Sequence, residues 1–499
     1  MMIKKIKFDN ILLLNYYIIM KRKPIMIIIT VIFGLLLVGG SIVAYFYFRP
    51  PTAQELERYE QAIQEGNLFY EGREFTQAIK KYNSAIKILH REPQAYSNIL
   101  QIYLDKHDFN SAKDFVKKAS NYLSGLNTGL LYSQLARAYY DSFDFENAKK
   151  YYELAISLNS APDISLGLAK VYLQTGDFSK ARDLLGNEFN ENSFDEANLL
   201  YAYVLSLQDV TQAKEHLESI SPSEEWSVFY NEMLEVISSF DDNELFNTTK
   251  LARIFLNNGY PKLSISVLEK YNDGTLDQYI DALFILGKAK LNSQDYDGAI
   301  ATLTKTTVLI GYEVQKYWML GRAYYRIGDL VNSILNYDRS ISYSNEINRP
   351  LITEYLDILI KFNQTTKTEQ VLGSVIGEIN QPWIYIVAQE VYFKIGNSAK
   401  FEYYTQLLSS ESLQPNEQKE YLFWTIRYML EEGNTNEIYG KLEQLFLLDR
   451  LNPKYYWLKG ILDYENNNFE DSRNNWEKAL EYDLGGIATV EVEKLLSRV

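Results

Sequence analysis

The stretch YWMLGRAYYRIGDLVNSILNY, from Tyr317 to Tyr337, carries its apolar residues three and four positions apart and breaks once, at Gly328-Asp329. Apolar residues at i, i+3 and i+4 predict helix, so the stretch reads as two helices joined by a tight turn. The same layout recurs along the chain. A small residue sits in the first run: Gly66, Ala136, Ala169, Ala252, Gly287, Gly321 and Gly460. A turn follows, often with Gly or Asp, and an apolar residue closes it: Phe75, Phe109, Phe145, Phe178, Tyr296, Leu330 and Phe469. A second small residue lies three further on (Ala78, Ala112, Ala148, Ala181, Ala299, Ser333, Ser472), and a bulky one four beyond that (Tyr82, Tyr152, Leu185, Leu303, Tyr337, Trp476).

The steps from Ala78 to Ala112, Ala148, Ala181 and Ala213 are 34, 36, 33 and 32 residues, and Gly287 to Gly321 is 34. A period near 34 is the signature of stacked helix–turn–helix units. Two antiparallel helices approach closely only where side chains are small, with large side chains filling the space beside them. Gly321 and Ser333 are therefore packing positions. Thr76, Asn110, Ser179 and Asp297 stand where the second helix needs a cap.

These residues resemble the tetratricopeptide repeat family. The best matches are 66–86 (GNLFYEGREFTQAIKKYNSAI), 132–156, 317–341 and 457–483, and the resemblance covers roughly residues 55–485, about twelve repeats. It implies an all-α, right-handed α-solenoid and protein–protein binding. The expected organisation is a first array over 55–221, a degenerate repeat or hinge over 222–248, a second array over 249–344, a degenerate to regular third array over 345–484, and a capping helix over 485–499.

Ahead of the repeats, residues 25–48 (IMIIITVIFGLLLVGGSIVAYFYF) run 24 positions without a charge, enough for a transmembrane helix. Lys21-Arg22-Lys23 precede the run and an aromatic belt, Tyr45 to Phe48, ends it. A cleaved signal peptide would have a shorter apolar core ending in small residues. The basic flank predicts a cytoplasmic N-terminus (1–24) and an extracytoplasmic body on a bacterial-type cell. Residues 1–19 read either as an upstream mis-start or as a second interfacial piece.

Charge sharpens this division. The net charge is −15, but residues 1–49 hold seven basic residues against Asp9 alone, which leaves −21 on the rest. So acidic a body is not expected to bind nucleic acid. There are no cysteines, and only His90, His107 and His216, so thiolate chemistry and His-based metal or catalytic sites are not expected. Neither a phosphate-binding glycine loop nor a hydrolase motif occurs. No enzyme activity and no cofactor are expected.

One feature stands out. The residue after the small one in each first helix is Asn67, Arg137, Lys170, Arg253, Lys288, Arg322 and Ile461, with Arg427 in the equivalent place of a weaker repeat. In the family this side of the first helix lines the concave groove. Tyr70, Tyr140 and Tyr325 lie one turn away, and Trp318 lies on the other side of Arg322. Arg and aromatic residues are common interface anchors, and Arg grips carboxylates bidentately. The groove is thus expected to bind acidic peptide segments of protein partners. Alternatively, the basic residues are solvated or paired with acids of the next helix. The family's carboxylate-gripping subset is not expected, since Asn67 and Asn98 fit its pattern but Ile63 and Leu130 stand where lysines would. Two other readings of the whole are a glycan-binding cell-envelope module and a passive spacer.

Overall fold

The computed structural model describes residues 49–188, 195–271, 274–306, 311–344, 346–379, 381–433, 437–482 and 487–496. Among them are 26 α-helices, one short 3-10 helix and no strand. Twenty-four of the α-helices form twelve successive pairs, from Ala53–Glu71 with Phe75–Ile88 to Pro453–Glu465 with Phe469–Tyr482. The transmembrane helix expected over 25–48 lies outside the described residues, as do 1–24. Among the described residues no helix is long and apolar enough to cross a membrane.

Two helices stand outside the pairs. Glu224–Ser238 is inserted between the fifth pair and the pair Glu244–Asn257 with Pro261–Leu268. This single extra helix is why the repeat loses its phase over 222–248. Ile487–Leu496 follows the last pair. The segment 345–380, irregular in sequence, holds an ordinary pair, Arg349–Lys361 with Thr365–Glu378.

The turn inside each pair is built the same way. Seven residues after the small residue, the backbone enters the left-handed region: Arg73, Phe143, Gly176, Gly259, Gln294, Gly328 and Asn467 all have positive φ. In at least six of the twelve pairs the residue just before the second helix caps it. Asp108, Asp144, Asp295 and Asp329 each accept a hydrogen bond from the amide three residues on, which satisfies one of the helix's orphan donors. The expected caps Thr76, Asn110, Ser179 and Asp297 are misplaced by two residues. They lie inside the first helical turn, because helix begins at the apolar residue before each of them.

The packing rule holds in three dimensions. A Cβ on Gly321 would come 2.8 Å from the ring of Tyr337, and Cβ atoms on Gly66, Gly287 and Gly460 would meet Tyr82, Leu303 and Trp476. In each case the bulky partner is sixteen residues on, and Tyr82, Leu303, Tyr337 and Trp476 are essentially fully buried. Each such burial stabilises by about 2–3 kcal/mol. The tenth pair, Pro382–Lys394 with Ser398–Ser409, inverts the sizes. Gln389 takes the small position, Phe401 the second small position, and Thr405 the bulky one. Gln389 donates to Thr405 at 2.9 Å and to Thr425 at 3.0 Å.

The path also brings remote pairs together. Tyr260, in the turn of the sixth pair, is buried among Phe255, Tyr203 and Tyr140, with its ring edge-on to Tyr203 at 6.2 Å. Gly259 accepts from Gln174 of the fourth pair at 2.7 Å, and Lys270 donates to the carbonyl of Leu207 at 2.9 Å. At the extremes of the array, Arg73 of the first pair donates to the carbonyl of Tyr482 of the twelfth at 2.8 Å.

Candidate functional site

The first helices of successive pairs lie side by side, so residues at matching positions line clefts that cross from pair to pair. Of the basic positions read from the sequence, Arg137, Lys170, Arg322 and Arg427 line such clefts, and most of the basic positions are already engaged. Lys170 pairs with Glu196 at 2.6 Å, Arg253 with Asp281 at 2.6 Å, and Arg322 with Glu354 at 2.5 Å. Each acid belongs to the next pair in the array. Among the described residues the one ionic partner of Arg137 is Asp141, one turn along its own helix, at 4.0 Å and largely exposed. Lys288 is exposed with no ionic partner among the described residues. Arg427 lies over Trp457 at 4.8 Å and pairs with Glu431 and Glu491. The last helix supplies Glu491 and Leu495 to a cleft of about 410 Å3 over Arg427 and Ile461.

In the first half of the array the face beside Lys170 is filled from within, while clefts of about 540 and 750 Å3 remain beside Arg137 and between the turns of the third, fourth, sixth and seventh pairs. Lys170 sits 5.7 Å from the Tyr140 ring, and Tyr140 accepts from Gln174, whose amide also holds Gly259. Burial, with Tyr140, Glu196 and Tyr203 beside it, pushes the Tyr260 hydroxyl far above the usual tyrosine range. The turn of the sixth pair thus occupies the face that Tyr140 and Lys170 present. A cleft of about 330 Å3 remains beside Arg137, Asp163 and Glu196. Tyr70, in the first pair, donates to Asp105 at 2.5 Å. Asn67 accepts from Tyr82 and from Asn98, so these two asparagines bond to each other.

A more open arrangement crosses the seventh to ninth pairs. A cleft of about 650 Å3 is walled by Leu291, Tyr296, Tyr325 and Ile358, with Arg322, Arg326, Glu354, Asp357 and Lys361 at its edges. Glu354 gathers several of the polar groups beside it. The Arg322 guanidinium grips it bidentately, with Nε at 2.8 Å from Oε1 and Nη2 at 2.5 Å from Oε2. The Trp318 indole donates at 3.1 Å and the Tyr337 hydroxyl at 2.7 Å. Arg322 also stacks over Trp318 at 4.4 Å. Burial pushes the Glu354 carboxyl up, but Arg322, Tyr337 and Trp318 outweigh it and hold the group below the usual range. Burial and the bond to Glu354 push the Tyr337 hydroxyl up.

Arg322 and Trp318 are therefore held to Glu354, and the cations left over are others. Lys361 donates to the Tyr325 hydroxyl at 2.8 Å, 5.4 Å from its ring. Arg326 is exposed. Neither has a carboxylate partner among the described residues. Asp357 pairs with Lys394 of the tenth pair at 3.5 Å. The sequence reading missed Glu354, Tyr260, Arg326 and Lys361. It tracked one position per repeat, whereas the partner acids sit at different positions in successive pairs. Among the described residues no three His, Asp or Glu side chains gather as metal ligands.

Comparison with known proteins agrees with this geometry at the level of the repeat. Residues 133–189 match one tetratricopeptide repeat model and residues 281–307 match another. Tetratricopeptide repeats are thus recognised in the chain, and the matched segments coincide with the third and fourth pairs and with the seventh. The sequence matches no curated protein. Among solved structures it is similar to Naa15/Naa10 bound to HypK-THB, at 11% identity and TM-score 0.36, covering 89% of this chain and 96% of that one. It is also similar to yeast Tom70, at 14% identity and TM-score 0.35, covering 89% and 97%. The Cut9–Hcn1 hetero-tetramer of the APC/C is a third, at 12% identity and TM-score 0.31, covering 88% and 96%.

Proposed function

We propose that the chain is a non-catalytic, membrane-anchored repeat scaffold that holds segments of partner proteins. Residues 25–48 are its anchor, with the repeat body on the extracytoplasmic side, as the basic flank directs. The binding face is the cleft of the seventh to ninth pairs. The observation that carries this reading is its composition: apolar and tyrosine walls with Arg326 and Lys361 at the rim, which no carboxylate among the described residues neutralises. Arg322, fully engaged by Glu354, sets the wall in place and leaves selection to the other cations. An extended segment with acidic side chains fits such a rim, and charge complementarity of this kind governs selection and on-rate more than raw affinity.

The test is binding of an acidic tyrosine-free peptide and its lysine-substituted counterpart to the full chain by fluorescence anisotropy, at low and high salt. The acidic peptide is expected to bind more tightly, with affinity falling as salt screens the contact. The double variant Arg326→Glu, Lys361→Glu is expected to weaken it by about tenfold or more, roughly 1.4 kcal/mol. Equal binding of both peptides, or of wild type and double variant, would remove the cleft as the acidic-segment site.

A further inference from the structure

The first and last pairs of the array touch, and the contact is specific. Thr76, in the first turn of helix Phe75–Ile88, donates its backbone amide to Glu481 at 3.1 Å. Next to this, Arg73 donates to the carbonyl of Tyr482 at 2.8 Å. The residues that meet are about 400 positions apart in the chain, 405 and 409 respectively.

The first pair differs from several of its successors where this contact forms. In the second, third, seventh and eighth pairs an Asp at the turn accepts the amide three residues on. In the first pair that position is Glu74, which makes no side-chain capping bond. The open N-terminus of Phe75–Ile88 is met by the carboxylate of Glu481 instead. A carboxylate at a helix N-terminus satisfies orphan donors and complements the helix dipole. Lys106, from the second pair, adds a positive charge nearby, and Glu74 a negative one. Tyr482 is buried, and its ring packs edge-on to Tyr456 at 5.1 Å. Burial pushes the Glu481 carboxyl above the usual range, as expected for a group removed from water by the contact.

We infer that the array closes on itself. The turn of the first pair is a docking site whose occupant is the chain's own last repeat, and Glu481 serves as a cap supplied from the far end of the same chain. The closed path places the end of the array beside the pair that follows residues 25–48. It also limits how far the clefts of the intervening pairs can open.

The chain has no cysteine, so two can be introduced cleanly. Gln77→Cys and Glu477→Cys are exposed positions flanking the contact. With nitroxide labels on both, double electron–electron resonance on the full chain is expected to give a short, narrow distance. Adding Glu481→Lys, which places a cation against the helix N-terminus and Lys106, is expected to abolish that distance while far-ultraviolet circular dichroism keeps its helix content. Arg473→Glu, exposed on the same helix, is the control and should leave the distance in place. A short distance that persists in Glu481→Lys, or a broad long one in the parent pair, would overturn the inference. So would a short distance that vanishes on dilution with unlabelled chain, because the contact would then join two copies.

Discussion

The hydroxyl of Ser333 donates to the carbonyl of Gly321 at 2.9 Å across the buried seam between the two helices of the eighth pair. Ser264 with Ala252 and Ser472 with Gly460 repeat the relationship at 2.7 and 2.8 Å. In each case the residues are twelve apart. The hydroxyl adds one bond to a carbonyl already inside a helix, so its worth is modest, about 1 kcal/mol. Alanine occupies the position elsewhere, at Ala78, Ala148 and Ala299. Ser333→Ala is therefore expected to lower stability by about 1 kcal/mol or less. Ser333→Leu forces four carbons into a closed seam and should cost about 3 kcal/mol. Urea unfolding of both variants checks the ordering.

Glycine substitutions should split by location. Gly321→Ala gains roughly 1 kcal/mol of helix propensity but drives a methyl to 2.8 Å from the Tyr337 ring. Overpacking wins, and a net loss of about 1–2 kcal/mol is expected. Gly373 and Gly377, inside helix Thr365–Glu378, have open space where a Cβ would go. Alanine there should stabilise by about 0.5–1 kcal/mol each. Calorimetric melting temperatures should move in opposite directions.

The turn of the seventh pair supplies another opposed pair of variants. Gln294 sits at φ 64°, where a side chain strains the backbone and glycine does not. Gln294→Gly is expected to stabilise by about 0.5–1 kcal/mol, after the entropy lost by glycine is subtracted. Asp295→Ala removes the cap on Gly298, held at 3.0 Å, and should cost about 1 kcal/mol. Thermal melts of the two single variants test this directly.

Acid should act through Glu354. Its carboxyl titrates below the usual range when folded, so folding favours the ionised form. The stabilisation is complete above the unfolded-state value, about pH 4.3, and is lost as pH falls through the folded value. Wild type is expected to lose stability more steeply below about pH 4 than Glu354→Gln, which has no carboxyl to protonate there. Urea midpoints at several pH values compare the two slopes. Parallel curves would show that Glu354 is not coupled to folding.

Tyr260 ties the third and fifth pairs to the sixth through Tyr140 and Tyr203. Tyr260→Ala leaves a cavity and is expected to cost about 3–5 kcal/mol. Hydrogen exchange should quicken in helices Gly125–Asp141 and Asp195–Ser206 as well as in the turn itself. Exchange changes confined to residues near 260 would contradict the bridging role.

Much of this architecture can be read from the sequence, because the seam between paired helices tolerates few residue types. Where Gly, Ala or Ser stands sixteen residues before Tyr, Leu or Trp, the period shows. It fades at the tenth pair, where Gln389, Phe401 and Thr405 fill the same volume with the sizes exchanged, and at 222–248, where one extra helix shifts the phase. The turn caps were misread because Thr76, Asn110 and Asp297 are as good cap types as the Asp or Glu two places earlier. At the candidate site the basic positions are visible, but the acids that hold Lys170, Arg253 and Arg322 come from neighbouring pairs at no fixed spacing. Contacts between remote pairs, such as Tyr260 with Tyr203 or Thr76 with Glu481, depend on the path of the whole array and leave no local pattern.

The most direct test of the scaffold reading is photo-crosslinking in native membranes from benzoylphenylalanine placed at Tyr325, in the wall of the cleft of the seventh to ninth pairs. Wild type is compared with the Arg326→Glu, Lys361→Glu variant. The account predicts that a defined partner is crosslinked through an acidic segment in wild type and is lost from the charge-reversed chain. The same crosslinks from both chains, or crosslinks mapping to basic or uncharged segments, would contradict it.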